Sequence, residues 1–443
     1  MRNRKIALIC PPTNYIPDKD YERKDWEING LLCLESFLRE KGYEPKIIDY
    51  REEFSLNNEY LKRIEKDIKD FSFIGFHTAI DSYLSLEKTI SYLKEKRKNL
   101  PIILGGPLVS SFKLSEDNLI MKNIPADIVV IGEGEHTLLE ILQCVEQEKK
   151  LNNINGIIYR EQNKLIVNRP RMLIKDLSSL PYEDHMQWPD LKETINEKRW
   201  ISALFSRGCY YNCSFCFKLM KGVRRRSLEH IEEEFVNIEK NLGKKSIMIT
   251  DENFISNREW AIEVSNILEK YTTNWNCWLR VNDVDSDLLK KFKRNKCETV
   301  WYGIESFDEE VIKRTGKRIT PEQSLKAIEM TKEAGIVPFG FFIIGLPGET
   351  EKSLEYTIKM IEKSGVLPRA NLLCVFPGTK LYYDALRKGL IKDELEYIKK
   401  FAEKNRPQGD EILINMTSVS NQKLVEARNK IRDDLRIINE KNF

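Results

Sequence analysis

The stretch Arg207-Gly-Cys-Tyr-Tyr-Asn-Cys-Ser-Phe-Cys-Phe217 sets three cysteines, Cys209, Cys213 and Cys216, at C-x3-C-x2-C spacing. Thiolates are soft ligands that favour iron–sulfur clusters, zinc or copper(I). A closed structural zinc site takes four protein ligands, as does an ordinary four-iron cluster. This run supplies three and stops. On a four-iron cluster, three thiolates leave one iron open to another ligand. A zinc knuckle would need a fourth donor from elsewhere in the chain. The apolar run Ile201-Ser-Ala-Leu-Phe-Ser206 just before it reads as a strand, so the cysteines lie on a loop at a strand's carboxyl end.

Downstream, the alternation of strand and helix patterns continues. Strands are expected near 201–206, 246–250, 275–281, 298–304, 338–345 and 369–375, and helices near 228–241, 258–271, 286–294, 321–335, 350–364 and 379–388. Six β/α units predict a partial parallel barrel, in which chemistry gathers on the loops after the strands. Those loops carry Thr250-Asp-Glu-Asn-Phe254, Trp278-Leu-Arg280, Gly303-Ile-Glu-Ser306, Gly345-Leu-Pro-Gly-Glu349 and Phe376-Pro-Gly-Thr379.

Upstream, short apolar runs at 5–10, 45–49, 71–76, 101–104 and 127–131 alternate with helical patterns at 27–42, 57–70, 82–97, 115–122 and 135–148. Five strands buried on both faces, each followed by a helix, predict a doubly wound, Rossmann-like parallel sheet. The loops at the strand ends are Pro11-Pro-Thr-Asn-Tyr15, Gly75-Phe-His-Thr78, Gly105-Gly-Pro107 and Gly132-Glu-Gly-Glu135. Glycine there lets backbone approach a ligand closely. Neither G-x-G-x-x-G after the first strand nor G-x-x-x-x-G-K-[ST] occurs, so no nicotinamide site or P-loop is indicated. Residues 154–168 read as a β-hairpin around the turn Glu161-Gln-Asn-Lys164. The expected organisation is an α/β sheet domain at 1–150, a hairpin and ordered linker at 151–199, the barrel core at 200–390 and a helical tail at 391–443.

Composition narrows the class. The 72 basic and 69 acidic residues leave a net charge of only +3, which argues against a dedicated nucleic-acid binder. The basic run Lys221-Gly-Val-Arg-Arg-Arg226 reads as a solvated loop. Of nine cysteines, the six outside the motif are scattered singly, as expected of small buried residues in a reducing compartment. The amino terminus is too short in apolar residues for a signal peptide, and no apolar run spans a membrane. A cytoplasmic protein is expected.

The cysteine run, with Phe215 before its third cysteine, and the ordered landmarks downstream resemble the radical S-adenosylmethionine (SAM) superfamily. The resemblance implies a 4Fe-4S cluster on Cys209, Cys213 and Cys216, with SAM chelated to the open iron. It implies SAM contacts from Phe215, Asp251, Glu252, Arg280, Glu305, Ser306, Ile343 and Gly345. The upstream sheet resembles the cobalamin-binding domain that precedes this core in one subfamily. There the resemblance implies contacts from Pro12, Asn14, Tyr15, His77, Thr78, Gly105, Gly106, Pro107, Gly132, Glu133 and Gly134, with Trp26 a further candidate for the corrin's lower face. The D-x-H-x-x-G motif that ligates cobalt in other cobalamin domains is absent, since no histidine precedes His77.

The resemblance implies a cobalamin-dependent enzyme that methylates an unactivated carbon through a deoxyadenosyl radical and methylcobalamin. It also implies a small-molecule or peptide substrate and a reductant such as flavodoxin or ferredoxin. The same motifs serve cyclases and rearrangement enzymes without net methyl transfer. A corrinoid and iron–sulfur sensor without turnover is a further reading.

Overall fold

The computed structural model describes residues 4–13, 27–53, 56–112, 114–162, 164–189, 191, 200–219, 222–404 and 409–435. The chain divides into two compact units: Met1–Arg199 with Lys392–Lys404, and Trp200–Ile391 with Asn405–Phe443.

In the first unit, β1 (Lys5–Cys10), β2 (Glu44–Asp49), β3 (Phe73–His77), β4 (Ile102–Gly105) and β5 (Ile128–Val130) form a parallel array in the order β2-β1-β3-β4-β5. Ile6 through Cys10 are all buried, as a central strand covered on both faces requires. The chain steps outward from β1 to β2 and then returns to place β3 on the other side of β1. The crevice between the ends of β1 and β3 is therefore a topological switch point, where open α/β sheets bind ligands. The helix expected at 115–122 is confined to Leu119–Asn123, because the Asn118 side chain accepts from the Met121 amide and caps it there.

Two expectations are corrected in this unit. The hairpin is no separate linker element: β6 (Ile157–Glu161) pairs antiparallel with β5, and β7 (Lys164–Val167) pairs with β6, giving a seven-stranded sheet. The tail is no region of its own either. Its helix Glu394–Lys404 packs on the helix Tyr83–Lys96, with Lys399 ion-paired to Glu87 at 2.9 Å.

In the second unit, β8 (Ile201–Ala203), β11 (Lys245–Ile249), β12 (Thr272–Leu279), β13 (Cys297–Glu305), β14 (Val337–Ile344) and β15 (Leu367–Leu372) pair in sequence order, all parallel. Between β8 and β11 lies a small antiparallel ribbon of β9 (Ser206–Arg207) and β10 (Arg224–Arg225). The basic run is thus no solvated loop over Gly222–Arg226: Arg226 is buried, with its guanidinium 2.6 Å from Glu234 and 3.2 Å from the Leu204 carbonyl. Lys221 lies outside the described residues.

Burial alternates along β14, with Phe342 and Ile344 buried and Phe341 and Ile343 half-buried. One face meets the helices, as the Tyr302 hydroxyl shows by bonding Thr331 of the helix Pro321–Glu333 at 2.8 Å. The opposite face carries a ladder of nearly parallel rings, Trp278 on Phe341 and Trp301 on Phe339, with centroids 4.9 and 4.8 Å apart. Strand alternation puts Arg280, Glu305 and Ile343 above this ladder, at the carboxyl end of the same face. The tail helix Asn421–Asn429 packs against β14 and β15, and its Leu424 would lie 3.8 Å from a β-carbon at Gly345.

Candidate active site

The cysteine loop begins where β8 leaves the sheet. Asp251, just past β11, accepts from the Phe205 amide at 2.8 Å and from the Ser206 hydroxyl. Both carboxylate oxygens are thus engaged in bracing the base of the loop. Burial pushes the Asp251 carboxyl up to about 7, against the pull of those hydrogen bonds. Its neighbour Glu252 is exposed, and partial desolvation raises its carboxyl while Lys218 opposes. Of the acidic pair, only Glu252 presents an open acceptor.

The middle of the loop is pinned from two sides. The Ser214 amide donates to the Thr315 carbonyl at 2.8 Å, and the Ser214 carbonyl accepts from the Leu381 amide at 3.0 Å. Leu381 lies in the first turn of the helix Lys380–Arg387, which Thr379 of the Phe376-Pro-Gly-Thr379 stretch caps. A family landmark and a segment with no sequence signal therefore grip the same peptide. Cys213 is buried, Cys209 half-buried and Cys216 exposed. Cys213 and Cys216 share a hydrogen bond. That bond lowers the Cys213 thiol, with Lys317 and Arg280 adding to it against burial. The same shared proton raises Cys216.

Arg280 is buried beside the loop. Its Nε donates to Asn282 at 3.3 Å, its Nη2 donates to the Lys317 carbonyl, and its Nη1 is 4.0 Å from the Cys213 sulfur. The guanidinium lies 3.4 Å from the Tyr211 ring centroid, and the Tyr211 hydroxyl donates to Asp283 at 3.0 Å. Glu305 is buried and ion-paired to Lys317, a residue that the sequence reading missed. Ser306 faces away from this cluster, toward Thr357 at 3.1 Å. Phe215 lies under the Lys317 ammonium at 5.7 Å, Ile343 is half-buried and Gly345 is buried. Glu349 closes the turn after β14: it accepts from the Gly345 amide at 2.6 Å, and burial pushes its carboxyl up to about 8. The structure thus brings together Cys213, Cys216, Phe215, Arg280 and Glu305 and adds Lys317. The donor set fits an iron–sulfur cluster, because soft thiolates sit among fixed cations that favour their ionised form.

In the first unit, the ends of β1 and β3 line a cavity of about 160 Å³, bounded by Cys10, Pro11, Thr13, Ile28, Arg51, His77, Ala79, Asp81 and Ser82. A corrin ring is larger than this cavity and would not fit inside it. Among the described residues the Thr13 hydroxyl is buried here with no hydrogen-bond partner, as expected where a bound group completes the site. Burial, with Arg51 adding, holds His77 down at about 4, so its imidazole is neutral at working pH. Arg51 itself is fixed by Asp49 at 2.6 Å.

Beside the cavity, Thr78 stitches β3 to the glycine loop. Its amide donates to the Gly105 carbonyl at 2.7 Å and its carbonyl accepts from Leu108 at 3.0 Å. Gly106 has φ +110, and a β-carbon there would come within 2.9 Å of the Thr78 amide and carbonyl. Pro107 opens the short helix that follows. Gly132 reaches this row through the Ser110 hydroxyl at 3.2 Å, Glu133 accepts from the Ile174 amide at 2.8 Å, and Gly134 precedes the helix Glu135–Glu146. Pro12 accepts from the Ser85 hydroxyl. Asn14, Tyr15 and Trp26 lie outside the described residues. A glycine-lined row at a switch point, with an orphaned buried hydroxyl, fits a bulky cofactor that meets mostly backbone.

A cysteine loop beyond the first strand of a parallel half-barrel, preceded by a switch-point sheet, defines a two-cofactor iron–sulfur enzyme. The chain belongs to the radical SAM superfamily, which matches residues 204–361, and a B12-binding domain matches residues 23–142. An uncharacterized methyltransferase of Pyrococcus horikoshii is 30% identical over 401 residues, covering 88% of this chain and 85% of that protein. The anaerobic magnesium-protoporphyrin IX monomethyl ester cyclase of Rubrivivax gelatinosus is 27% identical, over 76% of this chain and 62% of the cyclase. Among solved structures, the radical SAM methyltransferase TsrM of Kitasatospora setae, with cobalamin and a 4Fe-4S cluster bound, superposes with a TM-score of 0.73. It is 15% identical, over 87% of this chain and 78% of that one. At that identity the likeness speaks for the fold. Among the described residues no helix is long and apolar enough to cross a membrane.

Proposed function

We propose that the protein is a cobalamin-dependent radical SAM methyltransferase that methylates an unactivated carbon. The observation that carries this reading is the pairing, on one chain, of a pinned three-cysteine loop and a glycine-lined switch-point site. The cluster and SAM together would supply a deoxyadenosyl radical, and cobalamin would supply the methyl group. Cys209, Cys213 and Cys216 would hold the cluster. Glu252, exposed beside the loop, would accept from the SAM ammonium. Arg280 has five N–H donors, three of them directed at Asn282, Lys317 and Cys213, which leaves two for the SAM carboxylate. Ile343 and Gly345 would flank the adenine on the face above the aromatic ladder. Residues 105–107 and 132–134 would approach the corrin through backbone, with Pro12, His77 and Thr78 beside them.

A low-potential, one-electron donor of the flavodoxin or ferredoxin class would serve the cluster. The single scatter of the six cysteines outside the motif supports a reducing, cytoplasmic setting. The cyclase relative supports a second reading, radical cyclisation with the same cofactors. Incubating reconstituted protein with cobalamin, a reductant and SAM bearing a trideuterated methyl group separates the two. Label recovered on the corrin supports methyl transfer. Deoxyadenosine without label on the corrin supports the cyclase reading, and neither product rejects both.

A further inference from the structure

The buried charges beside the cysteine loop carry an inference that rests on the cluster reading above. We propose that Lys317, held by Glu305, is an electrostatic positioning residue that sets the reduction potential of the cluster on Cys209, Cys213 and Cys216. Burying an ion pair costs more than an exposed one returns, so an ammonium at 6% exposure in a loop needs a reason. Of the 72 basic residues, the described ones that are buried are Arg226, Arg280, Lys317 and Arg428, and two of these four flank the cysteine loop.

Three features fix where the Lys317 ammonium sits. The first is Gly303. A β-carbon there would fall 2.5 Å from the Lys317 Nζ and 2.6 Å from the Glu305 Oε1, so the pair occupies the space that the missing side chain leaves. The second is the backbone of Glu305, which holds φ +68 while the Ser306 amide donates to the Ile304 carbonyl at 2.9 Å. This is a tight three-residue turn of the rare positive-φ kind, and a register shift in the pairing of β13 with β14 accompanies it. Such a conformation is strained and persists where the surroundings demand it. The turn aims the Glu305 carboxylate at Lys317.

The third feature is the strap Thr315-Gly316-Lys317. The Thr315 carbonyl takes the Ser214 amide of the cysteine loop, and the Lys317 carbonyl takes Arg280. Gly316, at φ +69, turns the chain between them. The strap is bolted to the cysteine loop at one end and to Arg280 at the other, which anchors the backbone of Lys317 beside the loop while Glu305 holds its ammonium. The Lys317 ammonium lies 5.7 Å from the ring centroid of Phe215, which stands just before Cys216, so the positive end of the pair lies against the cysteine loop. A fixed positive charge favours the reduced cluster, which carries one more negative charge.

The test uses the full chain, reconstituted anaerobically, with iron and sulfide quantified and no SAM added. Dithionite delivers one electron per cluster, no bond forms or breaks, and electron paramagnetic resonance reports the midpoint. Lys317→Met is expected to lower the midpoint, Glu305→Gln to raise it, and Lys317→Arg to stay near wild type, each at about four irons per chain. A Lys317→Met cluster with full iron and the wild-type midpoint overturns the proposal. Should Lys317→Met hold no cluster, Glu305→Gln decides alone, and an unmoved or lowered midpoint overturns it. A wild-type chain that assembles no cluster overturns the cluster reading and this inference together.

Discussion

The two sheets place their chemistry alike, at the carboxyl ends of parallel strands, and build it differently. In the second unit, side chains do the building. Asp251, Arg280, Glu305 and Lys317 are all buried around one loop, and the loop's central peptide is held on both sides. In the first unit, backbone does it. Gly105, Gly106 and Gly132 line the row, Thr78 bonds through its own amide and carbonyl, and a small cavity remains open beneath. A site that must fix soft, charged ligands gains from buried ions at set distances. A site for a large ring gains from having few side chains in the way. The contrast predicts that single side chains decide function in the second unit and that added β-carbons decide it in the first.

The largest effect falls on the cysteines. Cys209→Ala is expected to remove the cluster, taking iron from about four per chain to near none and abolishing reductive SAM cleavage. Full iron and normal deoxyadenosine release in that variant would break the assignment. Arg280→Ala comes next. It strips a guanidinium from Lys317, Asn282, Tyr211 and Cys213 at once, and SAM affinity should fall by about 1.5–3 kcal/mol in an anaerobic titration. Unchanged affinity would take Arg280 out of the SAM site.

In the first unit, Gly106→Ala should weaken cobalamin retention and cost about 1–3 kcal/mol of stability, because the added carbon meets Thr78 backbone at 2.9 Å. Gly132→Ala has φ +97 but nothing within 4 Å, so only the backbone cost of about 1 kcal/mol remains. Equal losses from the two substitutions would erase the distinction between crowded and open glycines.

A pH-dependent effect belongs to Glu349. Its folded carboxyl titrates at about 8, whereas an unfolded glutamate titrates near 4.3. The folded state then holds a proton that the unfolded state releases. The stabilisation is complete below about 4.3 and is lost as pH rises through about 8. Glu349→Gln, which cannot ionise, should melt progressively higher than wild type as pH goes from about 5 to about 9. A difference in melting temperature independent of pH would contradict the buried, protonated carboxyl.

Much of this was legible in the sequence. The cysteine spacing narrows the chemistry to soft-metal sites, the landmarks downstream narrow it further, and the strand–helix alternation locates the loops that serve it. What escaped was what tertiary packing alone decides. Lys317 looks like any other lysine in a chain that is 32% charged, and its burial rests on a pairing with Glu305, which lies on a different element. Asp251 and Glu252 are adjacent acids, and only the fold turns one inward to the loop base and leaves the other open. The short helix Glu309–Thr315 escaped because its apolar pattern spans little more than one turn, although Asp308 caps it by accepting from the Val311 amide at 3.0 Å. The hairpin was readable as a hairpin, but its pairing with β5 was not, since register across a sheet edge leaves no local mark. The tail's division between units is likewise invisible in its charged, helical pattern.

The central claim is that one chain holds both a cluster and a corrin. The most direct measurement is a visible spectrum of anaerobically reconstituted protein, incubated with hydroxocobalamin and desalted. The account predicts retained corrin absorbance near one per chain on top of the cluster absorbance. Cluster absorbance without retained corrin would contradict it, leaving a radical SAM core attached to a sheet without its cofactor.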